Sequence, residues 1–73
     1  MMLTFKGTDS WDRPVYEDEN GCLLVDTDPR KGRIACLCAK LNNEFDGEPD
    51  VPVRVVEKYS EEIFEFNPCR VTW

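Results

Sequence analysis

Short apolar and β-branched runs, several of them alternating with polar residues, follow one another along the chain with turn formers between them. That period of two is the signature of half-buried strands. The clearest case is Val15-Tyr16-Glu17-Asp18-Glu19-Asn20-Gly21-Cys22-Leu23-Leu24-Val25, two β-prone runs joined by an acidic loop that ends in Asn-Gly. Asn and Gly tolerate the positive φ of tight hairpin turns, so this segment predicts an antiparallel hairpin. Upstream, Met2 to Lys6, closed by Gly7, predicts a strand, and the polar stretch Thr8 to Arg13 around Trp11 a loop leading into Pro14-Val15-Tyr16. Downstream, Asp26-Thr27-Asp28-Pro29-Arg30-Lys31-Gly32 is dense in turn chemistry and predicts a change of direction.

Residues 33–41 read two ways. Ile34, Leu37, Cys38, Leu41 and Phe45 fall at helical spacing, and Ala35, Ala39 and Lys40 add helix propensity. Against that, Gly32 sits where a first helical turn should form and the run is short, so a strand is the preferred reading and a short helix the alternative. Asn42 to Pro52, with two adjacent asparagines, a glycine, two prolines and alternating acids, predicts a long loop of the kind that binding sites favour. Val51 to Tyr59 and Ile63 to Phe66 predict two further strands about a turn at Tyr59-Ser60-Glu61-Glu62. Asn67-Pro68 should end the second, leaving Arg70 to Trp73 as an edge strand or a packed tail.

The fold class that results is all-β, a single small domain over residues 1–73: one antiparallel sheet or a partly closed barrel of five to six short strands, with α+β and one short helix near residues 33–41 as the alternative. Its expected core is Leu3, Phe5, Tyr16, Leu23, Val25, Ile34, Leu37, Val53, Val55, Phe64 and Phe66. If one face of the sheet is wet, each strand should alternate buried and exposed.

At 73 residues, 41% of them hydrophobic and 11% aromatic, the chain has enough apolar mass to fold despite 33% charged residues. A chain this short buries only roughly 60% of its unfolded surface, so self-association into a homo-oligomer is one way to supplement a small core. Nine basic against fifteen acidic residues give a net charge of −6. That charge repels phosphate backbones and anionic lipid, so neither direct nucleic-acid nor membrane binding is expected. The first residues, Met1-Met2-Leu3-Thr4-Phe5-Lys6-Gly7, form no apolar signal core, and no run is long enough to span a bilayer, which makes the cytoplasm the expected location.

Cys22, Cys36, Cys38 and Cys69 are expected to be reduced in that compartment. Cys36-Leu37-Cys38 lacks the two to four intervening residues of common zinc knuckles, and buried free thiols are the simpler reading. Glu44, Asp46, Glu48 and Asp50 alternate but lack the glycine and distal glutamate of a calcium loop, so a solvated loop is expected. No metal or other cofactor is therefore expected. Histidine is absent, which removes the usual general base at neutral pH, and so small a sheet has little room for a water-excluding pocket; no enzymatic activity is expected. Arg30-Lys31-Gly32-Arg33, the basic cluster, reads as a solvated turn. Trp11 and Phe45 are large aromatics in predicted loops, where each must plug the core or face a partner, with plugging the favoured reading.

The strings Asp9-Ser10-Trp11-Asp12-Arg13-Pro14-Val15-Tyr16, Val25-Asp26-Thr27-Asp28-Pro29-Arg30 and Asn42-Asn43-Glu44-Phe45-Asp46-Gly47-Glu48-Pro49 resemble short uncharacterised proteins of gut-dwelling bacteria and their mobile elements. They also resemble a domain within large polyvalent proteins of phages and conjugative elements. The resemblance spans residues 5 to 55 and implies a mobile-element or bacterial accessory context, with no catalytic residues to carry across. It also implies a single cysteine near Cys38, which makes the other three incidental.

Three functional expectations follow. The first is a non-catalytic protein-interaction module whose partner contacts are Trp11, Asp12, Arg13, Phe45, Asp46 and Glu48, aromatic anchors with a charged rim. The second is an acidic decoy that occupies a nucleic-acid-binding site on another protein. A small zinc-stabilised or redox-active domain comes third.

Overall fold

The computed structural model describes all 73 residues. Six strands, β1 (Met2–Thr8), β2 (Pro14–Glu17), β3 (Leu23–Asp26), β4 (Leu37–Lys40), β5 (Pro49–Pro52) and β6 (Glu65–Asn67), form one open sheet in the order β5-β4-β3-β2-β1-β6. The all-β reading holds. The sheet does not close into a barrel, and it is mixed rather than purely antiparallel, because β6 runs parallel to β1 with Leu3 opposite Phe66. Residues 33–41 hold no α-helix; the helical pieces are 3-10 turns at Val53–Val55 and Glu57–Tyr59, while Leu41–Asn43 is a left-handed turn with Asn42 and Asn43 at φ 55° and 54°.

Local chemistry explains the hairpins. The β1–β2 and β2–β3 loops have the same build: Asp9 N–H donates to Arg13 O and Asp12 N–H to Asp9 O, just as Asp18 N–H donates to Cys22 O and Gly21 N–H to Asp18 O. Each is a three-residue loop whose last residue is left-handed, Asp12 at φ 61° and Gly21 at φ 84°. The Asn20-Gly21 pair thus does make a hairpin, with glycine alone at positive φ.

Two segments depart from expectation for a shared reason. Pro49–Pro52, expected within a loop, pairs with β4 as an edge strand, where a missing proline N–H costs little. The alternation over Val51 to Tyr59 does not make a long strand. After Pro52 the backbone folds into consecutive 3-10 turns that carry Val53, Val56 and Tyr59 across one face of the sheet.

On that face Tyr16 stands opposite Leu24, Leu24 opposite Ala39, and Phe5 opposite Tyr16. Leu3, Tyr16, Leu24, Leu37, Val53 and Tyr59 form its buried cluster, with Phe5, Phe64 and Phe66 packed against it. Tyr16 meets Phe66 and Phe5 edge-on, at ring separations of 4.9 and 5.8 Å. Val15 and Val25, opposite each other on the second face, are also fully buried. The two central strands are therefore covered on both sides and do not alternate, whereas β1 does. Ile34 and Val55, expected in the core, are 90% and 67% exposed. Ile34 precedes β4 in the connecting loop, and Val55 ends a 3-10 turn whose inward position is taken by Val53. Leu23, also expected in the core, is half-buried.

Candidate functional site

Three buried aspartates, each at the mouth of a loop, organise the ends of the sheet. Asp9 Oδ1 accepts from the N–H groups of Trp11 and Arg13, both at 3.0 Å. Asp18 Oδ1 accepts from Asn20 and Cys22 at 2.8 and 2.9 Å. Asp26 Oδ1 accepts from Asp28 and Cys36, again both at 3.0 Å. In every case the second oxygen meets a long-range donor: Lys40 Nζ at 2.5 Å for Asp9, the Tyr59 hydroxyl for Asp18, and the Arg70 guanidinium at 3.2 Å for Asp26. One carboxylate oxygen closes a loop while the other ties that loop to a distant element. No buried side-chain N or O atom is left without a partner.

The electrostatics follow from this bonding. Burial alone would raise the Asp9 carboxyl, but the Lys40 ammonium and the N–H groups of Arg13 and Trp11 outweigh it and hold Asp9 below the ordinary aspartate range. Asp18 is likewise held low: the Tyr59 hydroxyl and the Cys22 and Asn20 N–H groups overcome the effect of burial. The Tyr59 hydroxyl is pushed far up, first by burial and then by its hydrogen bond to the Asp18 carboxylate.

The Asp9 loop carries Trp11, Asp12 and Arg13. Trp11 is 45% exposed, and its ring faces two cations, Lys40 Nζ at 5.4 Å and Arg13 Cζ at 5.6 Å from the centroid. Both lie within cation–π range. The loop bearing Phe45, Asp46 and Glu48 lies alongside. Ser10 N–H donates to Asp46 Oδ1 at 2.9 Å, Lys40 Nζ reaches Gly47 O at 2.9 Å, and Glu48 closes its own loop by accepting from Leu41 N–H. The structure thus brings the two expected loops together, but it uses their aromatics differently. Phe45 is half-buried against Gly7, where an added Cβ would lie 3.3 Å from its ring, so it plugs the fold. Trp11 stays half in solvent.

Two participants lie outside the contact residues expected from the sequence. Lys40 ends an apolar run and reads in the sequence only as adding helix propensity, yet it lies in β4 with its side chain wholly buried. Trp73, half-exposed, donates from its indole Nε1 to Asp12 O at 3.1 Å and so joins the Trp11 loop from the far end of the sequence. An indole next to a β-prone tail was its only signal.

The four cysteines are free thiols, but none is buried as expected, because Cys36 and Cys69 lie in exposed connections and Cys22 and Cys38 are half-buried; no three His, Cys, Asp or Glu side chains converge in a geometry that could hold a metal ion. Cys36 and Cys38 line a common cleft, where burial pushes the Cys38 thiol up. Cys22 accepts from Lys58 Nζ at 3.2 Å. No helix is long and apolar enough to cross a membrane. No protein-family model matches this chain, and neither a curated protein nor a solved structure matches it significantly.

Proposed function

We propose that this domain is a non-catalytic protein-interaction module of a mobile-element or bacterial accessory protein, acting in the cytoplasm through the corner built around Trp11. The observation that carries this reading is a half-exposed indole held in place by the buried Asp9–Lys40 pair beneath it and by the Ser10–Asp46 link beside it. A large aromatic already fixed in its bound position loses little conformational freedom on docking, which is why such residues dominate interfaces. Asp12, Arg13, Asp46 and Glu48 form the polar rim, Trp73 enlarges the apolar centre, and Phe45 supports the site from within. The decoy reading has less support, since Asp9, Asp18 and Asp26 are spent on internal bonds and are withdrawn from any phosphate-like surface array.

Affinity capture from a native lysate with the wild type and with Trp11→Ala tests the proposal. Trp11→Ala should lower the melting temperature through its lost cation–π contacts yet leave a folded protein, while the captured partner is lost. Retention of the same partner by a folded Trp11→Ala protein would refute it.

A further inference from the structure

A separate surface at the opposite kind of site, apolar and concave, lies where β4 and β5 meet the loop after β3. Its cavity of about 560 Å³ is the single pocket in the molecule, and it falls within the roughly 300–1,000 Å³ typical of binding clefts. Leu37 and Val53 contribute to its lining, Ile34 stands at its rim 90% exposed, and Arg54 is its charged residue. Although acids outnumber bases fifteen to nine along the chain, no carboxylate lines this cleft. Arg33, next to Ile34, and Lys31 are exposed nearby in sequence, so the basic character continues into the adjoining loop.

We propose that this cleft docks a segment of another protein in which an apolar side chain is flanked by carboxylates. The charge complement argues for the acids, because an exposed guanidinium beside an acid-free apolar floor attracts them locally. A second copy of this chain is opposed as the occupant by the mutual repulsion of two whole domains at −6 each. A small polar metabolite fits less well, since the lining offers few polar groups to orient it: the Thr27 hydroxyl is already spent on Cys36 O. Strand addition is not the mode. Pro49 and Pro52 bracket the adjoining edge strand and remove two of its amide donors, so the contact rests on side chains.

The test is a titration followed by two-dimensional amide NMR with two capped probe peptides, Asp-Glu-Leu-Phe-Glu-Asp and its uncharged counterpart Asn-Gln-Leu-Phe-Gln-Asn. The acidic probe should shift the amides of Ala35, Leu37, Val53 and Arg54 with a dissociation constant between about 10 μM and 1 mM, in keeping with so small a contact. The uncharged probe, and the acidic probe on Arg54→Glu, should bind about tenfold more weakly or worse. Arg54→Glu alters an exposed side chain and should keep the wild-type melting temperature, which checks that its fold is intact. Trp11→Ala should leave this titration unchanged, so the outcome is independent of the corner described above. No shift at millimolar acidic probe, equal binding of the uncharged probe, or an unaltered affinity of Arg54→Glu would each overturn the proposal. Shifts of the same amides on dilution of the protein alone would overturn it too, by showing that another copy fills the cleft.

Discussion

Lys40 Nζ lies 2.5 Å from Asp9 Oδ2 with neither side chain exposed to solvent, and this ion pair sits directly under the Trp11 ring. A buried pair adds little net stability over an apolar replacement, but breaking it strands a charge. Lys40→Met should therefore cost about 3–5 kcal/mol, lowering the melting temperature by at least about 12 °C in a domain of this size. Asp9→Asn combined with Lys40→Met should recover part of the loss. A double-mutant cycle by chemical denaturation measures the coupling; additive effects would mean that the pair does not interact.

Acid should unfold the protein through the same carboxylates. Asp9 and Asp18 are held below the ordinary aspartate value in the folded state, so in acid the unfolded chain binds protons that the folded one refuses. Their contribution is fully present above the unfolded value of about 3.9 and is lost as pH falls through the lower, folded values. Stability measured by urea denaturation should be level from neutrality to about pH 5 and decline steeply below about pH 4. A flat profile through that lower range would contradict the bonding described for both residues.

At the alkaline end the sign reverses. Burial raises Tyr16 and Tyr59, and the Asp18 carboxylate raises Tyr59 further, so above the unfolded tyrosine value of about 10 the unfolded chain loses protons that the folded chain keeps. These are the only two tyrosines. Ultraviolet tyrosinate absorbance should stay silent through ordinary tyrosine pH and appear together with loss of the sheet signal in circular dichroism. Tyrosinate formation in a protein that remains folded would run against this expectation.

Arg70 fastens the tail to the β3–β4 loop, donating to Asp26 Oδ2 from both Nε and Nη2, to Asp28 O and to Arg33 O. Arg70→Ala should cost about 1.5–3 kcal/mol, the range for hydrogen bonds to a charged group. Arg70→Lys should rescue little, because an ammonium lacks the planar fork. In amide exchange, the Val71 N–H, which donates to the Tyr16 hydroxyl at 3.0 Å, should lose protection in both variants before β2 and β3 do.

Two glycines make different demands. A Cβ on Gly21 would meet nothing within 4 Å, so Gly21→Ala should cost only the left-handed backbone penalty, about 1–2 kcal/mol. At Gly47 a Cβ would lie 2.6 Å from Leu41 O, a backbone atom that cannot step aside, so Gly47→Ala should displace the loop and weaken the Lys40 contact as well. Thermal melts of the two variants side by side should rank Gly47→Ala as the more damaging.

What could be read in advance divides along the range of the interaction. The β2–β3 hairpin was legible because Asn20-Gly21 and its flanking apolar runs carry the whole instruction locally, and β1 and β4 showed as short runs for the same reason. The 3-10 path through Val53 and Tyr59 was not, because an alternating pattern fits either geometry until Pro52 and the packing against Leu37 decide it. Nor was the parallel pairing of β6 on β1, which joins residues at opposite ends of the chain. The Trp11 and Phe45 loops could be picked out as aromatic loops, but which ring would face outward depended on the contact between Phe45 and Gly7. The aspartates were hardest to see: Asp9, Asp18 and Asp26 fall in predicted loops and turns with nothing local to set them apart from the other acids, and their burial depends on Lys40, Tyr59 and Arg70, each remote in sequence.

The β1–β6 pairing sets the order in which the sheet can be completed. The hairpins can form between neighbouring residues, yet until residues 65–67 dock the outer margin of β1 stays unpaired and Leu3 and Tyr16 lack the cover of Phe66. A folding chain caught at that stage presents a sticky half-built sheet, so aggregation on refolding should compete chiefly with the docking of β6.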